Sequence, residues 1–234
     1  MEMINARKGA PGNLRFAIKN SCLFLLLSLL LLLFAYPYGK EHPLIILSLN
    51  GLTLIAGIYA VGTIRHHILI VTVISALGVL AAAIHLQVRF LFLDVIAAAL
   101  FAIFYIYVLV IVLAYVIKGA EVTTDKILGV VSIYFLIGFT WASFYRIVFS
   151  LQPEAFSASD TLLSSDGRWQ PDFVYFSFIT LLTVGYGDVR PISGMARSLA
   201  ILEGIVGVLY VGVFISRLLS LYKPRPQKTD SSEQ

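Results

Sequence analysis

Tyr175-Phe176-Ser177-Phe178-Ile179-Thr180-Leu181-Leu182-Thr183-Val184-Gly185-Tyr186-Gly187-Asp188 is the stretch on which the reading of this chain turns. Its second half sets two glycines one residue apart, Gly185 and Gly187. Glycine recurs this closely where the backbone must take angles that residues with a Cβ resist. A bare Gly-x-Gly would read as a turn in an exposed loop. Here it follows a short apolar and aromatic run, Asp172 to Leu182. About ten residues are too few to cross a hydrocarbon core of about 30 Å, but they suit a re-entrant helix. Asp172 can cap that helix, because a carboxylate at an N-terminus satisfies free backbone N–H groups.

Working outward, apolar runs of spanning length lie on both sides. Of the 234 residues, 59% are hydrophobic and 13% charged. A water-soluble domain usually carries about 25% charged residues, so most of this chain has lipid as its solvent. Six segments are long enough to span: 16–36, 44–61, 68–84, 90–117, 127–149 and 195–222. The fourth is long enough to need tilt or an interfacial end. The motif falls between the fifth and sixth, after a polar loop, Leu151 to Pro171. The expected fold class is therefore an all-α membrane protein of six transmembrane helices with a re-entrant helix between the last two. The expected domains are an N-terminal segment (1–15), a four-helix membrane domain (16–118), a helix–loop–helix domain (127–222) and a polar tail (223–234).

The formal net charge of +4 is unevenly spread. With the N-terminus inside, eleven of the 17 basic residues fall on the inner side, among them Arg7, Lys8, Arg15, Lys19, Lys223, Arg225 and Lys228. That bias predicts a multi-pass protein of the cell membrane with both termini cytoplasmic. The termini would lie against an anionic leaflet, and membrane lipid is the expected surrounding partner. No basic stripe is interleaved with aromatics, which excludes nucleic acid as a partner. One cysteine, Cys22, permits no intrachain disulfide and no thiol metal cluster. The basic start and leucine-rich run could pass for a signal peptide. The run ends in Ala35-Tyr36-Pro37-Tyr38, without a small-x-small cleavage site, and reads as a retained first span. No catalytic set, phosphate loop or organic cofactor motif is present, so no enzyme is expected.

A potassium ion crossing a membrane must lose its water and find replacement oxygens that bind it without trapping it, and neutral carbonyls do this. Thr183-Val184-Gly185-Tyr186-Gly187 meets that demand. Carbonyls of Thr183, Val184, Gly185 and Tyr186, with the Thr183 hydroxyl, would form a ladder of potassium sites. Val184 and Tyr186 would pack outward, and Asp188 would sit at the outer mouth. With the preceding run (Tyr175, Phe176, Thr180 and Leu182 among its residues), the stretch resembles the pore helix and selectivity filter of potassium channels. The resemblance covers about the last 100 residues; the first four spans match that family's six-span plan only in number and topology. It implies a homotetramer in which each chain supplies a quarter of the ring. It also implies potassium in the filter as the only bound cofactor-like species.

The stretch departs from the family pattern twice. Leu182 stands where many relatives have a second threonine, which removes a polar lining from the cavity roof. Ile179 stands where some carry a buried acid, so a partner for Asp188 must come from elsewhere. Tyr175 is the candidate, unless it is only an interfacial aromatic. The re-entrant helix would aim its C-terminus, partly negative, at a central cavity.

The fourth span has Arg89 and Asp94 near one end and no further basic residue until Lys118. It lacks the arginine series of a voltage sensor, so little intrinsic voltage sensing is expected. In the sixth span, Gly207 matches the family's inner-helix hinge by its distance from the filter, with Gly204 beside it. The competing reading is close helix packing. Glu203 is an acid inside a span, where acids are paired or functional. Its candidate partners are Arg146, Arg197 or a hydrogen bond behind the pore helix; the functional alternatives are a cavity-facing or proton-sensing role. His66, His67 and His85 read as interfacial anchors or proton sensors. Glu154, Asp160, Asp166 and Asp172 flank the outer mouth, where they would concentrate cations or simply be solvated.

Passive potassium-selective conduction leads these readings. A less selective cation channel, a potassium transporter subunit and a non-conducting membrane scaffold are the alternatives. The single filter argues against the transporter.

Overall fold

The computed structural model describes residues 21–40, 42–61, 65–88, 90–117, 123–158 and 172–221. The expected terminal segments and most of the basic residues that set the orientation lie outside them, as do Asp160 and Asp166. Seven helices carry the described chain: α1 (Ser21–Ala35), α2 (Pro43–Val61), α3 (Arg65–Val88), α4 (Leu91–Ile117), α5 (Thr124–Leu151), α6 (Phe173–Leu181) and α7 (Gly194–Leu221). Five segments are long and apolar enough to cross a membrane, in α1, α3, α4, α5 and α7, and α2 is a shorter apolar helix. At 19 residues α2 rises about 28 Å, close to the thickness of the hydrocarbon core. The protein is a helical, multi-pass membrane protein.

Elements end where the sequence supplies a stop. Pro37 and Gly39 sit in the short 3-10 turn Tyr36–Lys40 after α1. Thr123 caps α5, accepting a hydrogen bond from the Lys126 amide. Outside the stretch 182–188, the non-helical backbone among the described residues is short. The strand β1 (Phe156–Ala158) pairs antiparallel with β2 (Val189–Pro191), setting Ser157 opposite Arg190. This ribbon ties the segment after α5 to the segment that follows Asp188.

The helix α5 is the hub. It packs against α4 most extensively, and also against α1, α6 and α7. Polar ties supplement the apolar contacts. Asp125 accepts from the Cys22 amide (3.2 Å) and the Tyr115 hydroxyl (2.9 Å), joining α1, α4 and α5. Tyr105 donates to Asn50 across α4 and α2 (3.0 Å). His67 meets Tyr107 at 2.6 Å between α3 and α4. His85 lies against the Phe90 carbonyl and 3.9 Å from Asp94. Of the first four helices, α1 and α4 pack directly on α5, and α2 and α3 pack on them.

Candidate ion-conduction site

The short helix α6 is held in a socket of aromatic rings. Tyr145 meets Phe176 with ring centres 4.8 Å apart, and Phe156 meets Phe173 at 5.0 Å. Phe178 lies 5.6 Å from both Phe135 and Phe139. Its close approach to α5 depends on Gly138, where a Cβ would sit 2.7 Å from the Phe178 ring. The Asp172 carboxylate caps α6 by accepting from the amides of Val174 (3.0 Å) and Tyr175 (3.1 Å).

The backbone then leaves the helix in an unusual way. Thr183, Gly185 and Gly187 have φ of +58°, +55° and +76°. Val184 and Tyr186, between them, do not. Alternating the hand of successive residues turns successive carbonyls toward one side. A left-handed φ costs glycine little, but a β-branched threonine is strained there, and such strain persists only where the surroundings over-determine it. The surroundings here are the end of α6. The amides of Leu182, Thr183, Val184 and Gly185 donate backward to Phe178 (2.9 Å), Thr180 (3.0 Å) and Ile179 (2.8 and 3.2 Å). Those donors are consumed, whereas among the described residues no donor reaches the carbonyls of Thr183, Val184, Gly185 and Tyr186. The Gly187 carbonyl accepts from the Arg190 side chain (2.8 Å).

The end at Asp188 is clamped. The Tyr175 hydroxyl donates to Asp188 at 2.6 Å, and the other Asp188 oxygen accepts from the Val189 amide at 3.0 Å. Burial, and then the bond to Asp188, push the Tyr175 hydroxyl up to about 12, so it keeps its proton at neutral pH. The stretch is open to its surroundings in a single chain: Leu182 is 55% and Tyr186 72% exposed.

The expected Glu203–Arg146 pair does not form. Arg146 binds Asp94 with Nε at 2.9 Å and a terminal nitrogen at 2.5 Å, and Ser150 holds the second Asp94 oxygen at 2.7 Å. The reason is helical phase. Arg146 follows Tyr145 by about 100° around α5, so Tyr145 faces α7 while Arg146 faces α4. Arg197 is not the partner either; it donates to the Pro191 carbonyl. Glu203, fully buried, lies against α6 between the Tyr145 hydroxyl and Ser177 Oγ, each 2.5 Å away.

Gly207 lies against the end of α6. A Cβ there would fall 2.4 Å from the Leu181 carbonyl oxygen, a reason for glycine that rests on packing. Gly204 has open space around it. Tyr134 and Tyr210 complete this joint. Tyr134 donates to the same Leu181 carbonyl (3.2 Å), and Tyr210 donates to Val130 (2.6 Å). Tyr134, Gly138, Tyr145 and Ser177 escaped the sequence reading. Ser177 alone carried a visible signal, a polar residue in an apolar run.

Comparison with known proteins fits this geometry. Residues 127–223 match a family model described as "ion channel". A 46-residue stretch is 50% identical to Protein LctB of Bacillus caldotenax and 46% identical to Protein LctB of Geobacillus stearothermophilus, covering 20% of this chain and 34% of each of theirs. It is also 46% identical to two pore potassium channel b of Oryza sativa subsp. japonica, over 13% of that protein. The chain thus spans about a third or less of these curated relatives. No solved structure matches. Through its last hundred residues, with the stretch Thr183–Asp188 seated between α5 and α7, the chain is thus similar to ion channels, a two pore potassium channel among them.

Proposed function

We propose that the chain is one subunit of a homotetrameric channel that conducts potassium selectively and passively through rings of backbone carbonyls from Thr183, Val184, Gly185 and Tyr186. One observation carries the reading: left-handed residues alternate along Thr183–Gly187 while the amides behind them are tied to α6. That leaves a row of acceptors with no protein donor among the described residues. Unpaired backbone at membrane depth is tolerated only where it lines a cavity or is covered by protein. In one chain the row faces outward, and α7 exposes Met195, Ile201, Leu202, Ile205, Val208 and Leu209. Further copies around a central axis supply both the cover and the remaining oxygens. Carbonyl rings of this kind replace the hydration shell of potassium.

The remaining parts have supporting roles. Asp188 lies at the outer end and Leu182 at the cavity end. Among the described residues of α4 no basic side chain is present, which favours conduction without steep voltage dependence. Both termini are placed in the cytoplasm, by the charge bias. Potassium and sodium flux through purified protein in liposomes tests the proposal, with Gly185→Asp as the silent control. Potassium flux well above sodium flux supports it; equal fluxes defeat the selectivity.

A further inference from the structure

Hydrogen-bond inventory around Glu203 leads beyond conduction. Ser177 Oγ lies 2.5 Å from Glu203 Oε1 and 2.8 Å from the Gly138 carbonyl oxygen. A hydroxyl has one proton to give. An ionised Glu203 and a peptide carbonyl are both acceptors only, so Ser177 can satisfy just one of them. The second contact needs a proton from the other side, and only the carboxyl can bring it. The Tyr145 hydroxyl donates to Oε2. A protonated Glu203 then closes the set: Tyr145 O–H to Oε2, Oε1–H to Ser177, Ser177 O–H to Gly138. All three side chains are fully buried.

No neighbouring charge offers a different solution. From α5, Tyr145 bonds Glu203, Tyr134 lies within electrostatic reach, and Arg146 is engaged by Asp94. From α6, Asp172 caps the helix and Tyr175 binds Asp188. On α7 itself Arg197 turns to Pro191. Among the described residues no cation forms an ion pair with Glu203. A buried carboxylate without a counter-ion is unfavourable, and the neutral acid removes the penalty.

We propose that Glu203 works as a neutral acid whose proton completes the seat of the pore helix, and that its loss at alkaline pH unseats α6 and stops conduction. The chain of bonds joins α5, α6 and α7 at Ser177. The filter amides hang from Ile179 and Thr180, less than one turn further along α6. Deprotonation would draw the Ser177 proton to the carboxylate and break its bond to the Gly138 carbonyl, leaving that oxygen only its bond within α5 and parting α6 from α5 at this point. Glu203 is thereby a positioning residue for the filter, and this inference rests on the conduction reading above.

Glu203→Gln tests it, because an amide reproduces the pattern of the neutral acid. Its N–H donates to Ser177 and its oxygen accepts from Tyr145. Potassium flux in liposomes is measured against pH for both proteins, with infrared spectra of the same samples. The wild type should lose flux at least about tenfold per pH unit above the titration, as the protonated fraction of each of the four seats falls. The variant should keep its neutral-pH flux throughout. A protonated-carboxyl stretch should appear in the wild type at neutral pH, vanish at alkaline pH and be missing from the variant. A flat wild-type profile, the same fall in the variant, or no such band overturns the proposal. So does a variant that cannot assemble, since glutamine preserves every bond of the neutral acid. If the wild type carries no potassium at any pH, conduction fails as a reading, while the infrared band still decides the state of Glu203.

Discussion

Replacing Gly207 by alanine places one methyl group against the end of the pore helix. The new Cβ would sit 2.4 Å from the Leu181 carbonyl oxygen and 3.1 Å from Leu181 Cδ1. The methyl at Cδ1 can rotate away, but the carbonyl is backbone and is already fixed by Tyr134. Either α7 moves outward or α6 does. Overpacking a fitted site costs about 1–3 kcal/mol. Loss of the Tyr134 hydrogen bond adds about 1 kcal/mol. Alanine returns up to about 1 kcal/mol of helix propensity. The net destabilisation is about 1–3 kcal/mol, or a fall of roughly 2–12 °C in apparent melting temperature for a chain of this size. Gly204→Ala is the matched control, because nothing lies within 4 Å of its Cβ position. Thermal unfolding of both variants in detergent, with potassium flux measured alongside, provides the assay. Packing predicts that only Gly207→Ala melts early and loses flux. If both variants melt like the wild type and Gly207→Ala only slows opening, the packing argument is wrong and the hinge reading takes its place.

Three other outcomes follow from the same geometry. Tyr175→Phe removes the 2.6 Å donor to Asp188, a bond to a charged group worth about 1.5–3 kcal/mol, and should weaken potassium-over-sodium discrimination in liposome flux. In the wild type that clamp should hold under alkali. The tyrosine is raised from its ordinary value near 10 to about 12 by burial and by Asp188, so its contribution is complete below 10 and is lost only as pH rises through 12. Flux from Glu203→Gln protein, free of the other titration, should therefore stay level to about pH 9. Arg146→Met strands the Asp94 carboxylate between α4 and α5 and should lower the yield of assembled protein on size exclusion, with Asp94→Asn in the same chain restoring it.

The spans were legible because lipid demands long apolar runs, and their ends lie within a few residues of the proline, glycine and polar stops. The irregular backbone of Thr183–Gly187 was legible because closely spaced glycines behind a short aromatic run mark angles that other residues resist. The partners of the polar residues were not. In helices apolar on every side, the sequence holds no marker of which face packs, so the rotation of α5 that sends Tyr145 to Glu203 and Arg146 to Asp94 had no local signal. Gly207 was visible as a glycine, but its role depends on a carbonyl 26 residues earlier in the chain. Ser177 was passed over as one hydroxyl in an apolar helix, although in a membrane such a group must find a partner.

Anomalous scattering from thallium, a heavy surrogate for potassium, in crystals of the assembled protein would test the filter most directly. The account predicts a column of peaks on a four-fold axis, ringed by the carbonyls of Thr183, Val184, Gly185 and Tyr186. Peaks off that axis, or none beside these carbonyls, would contradict it.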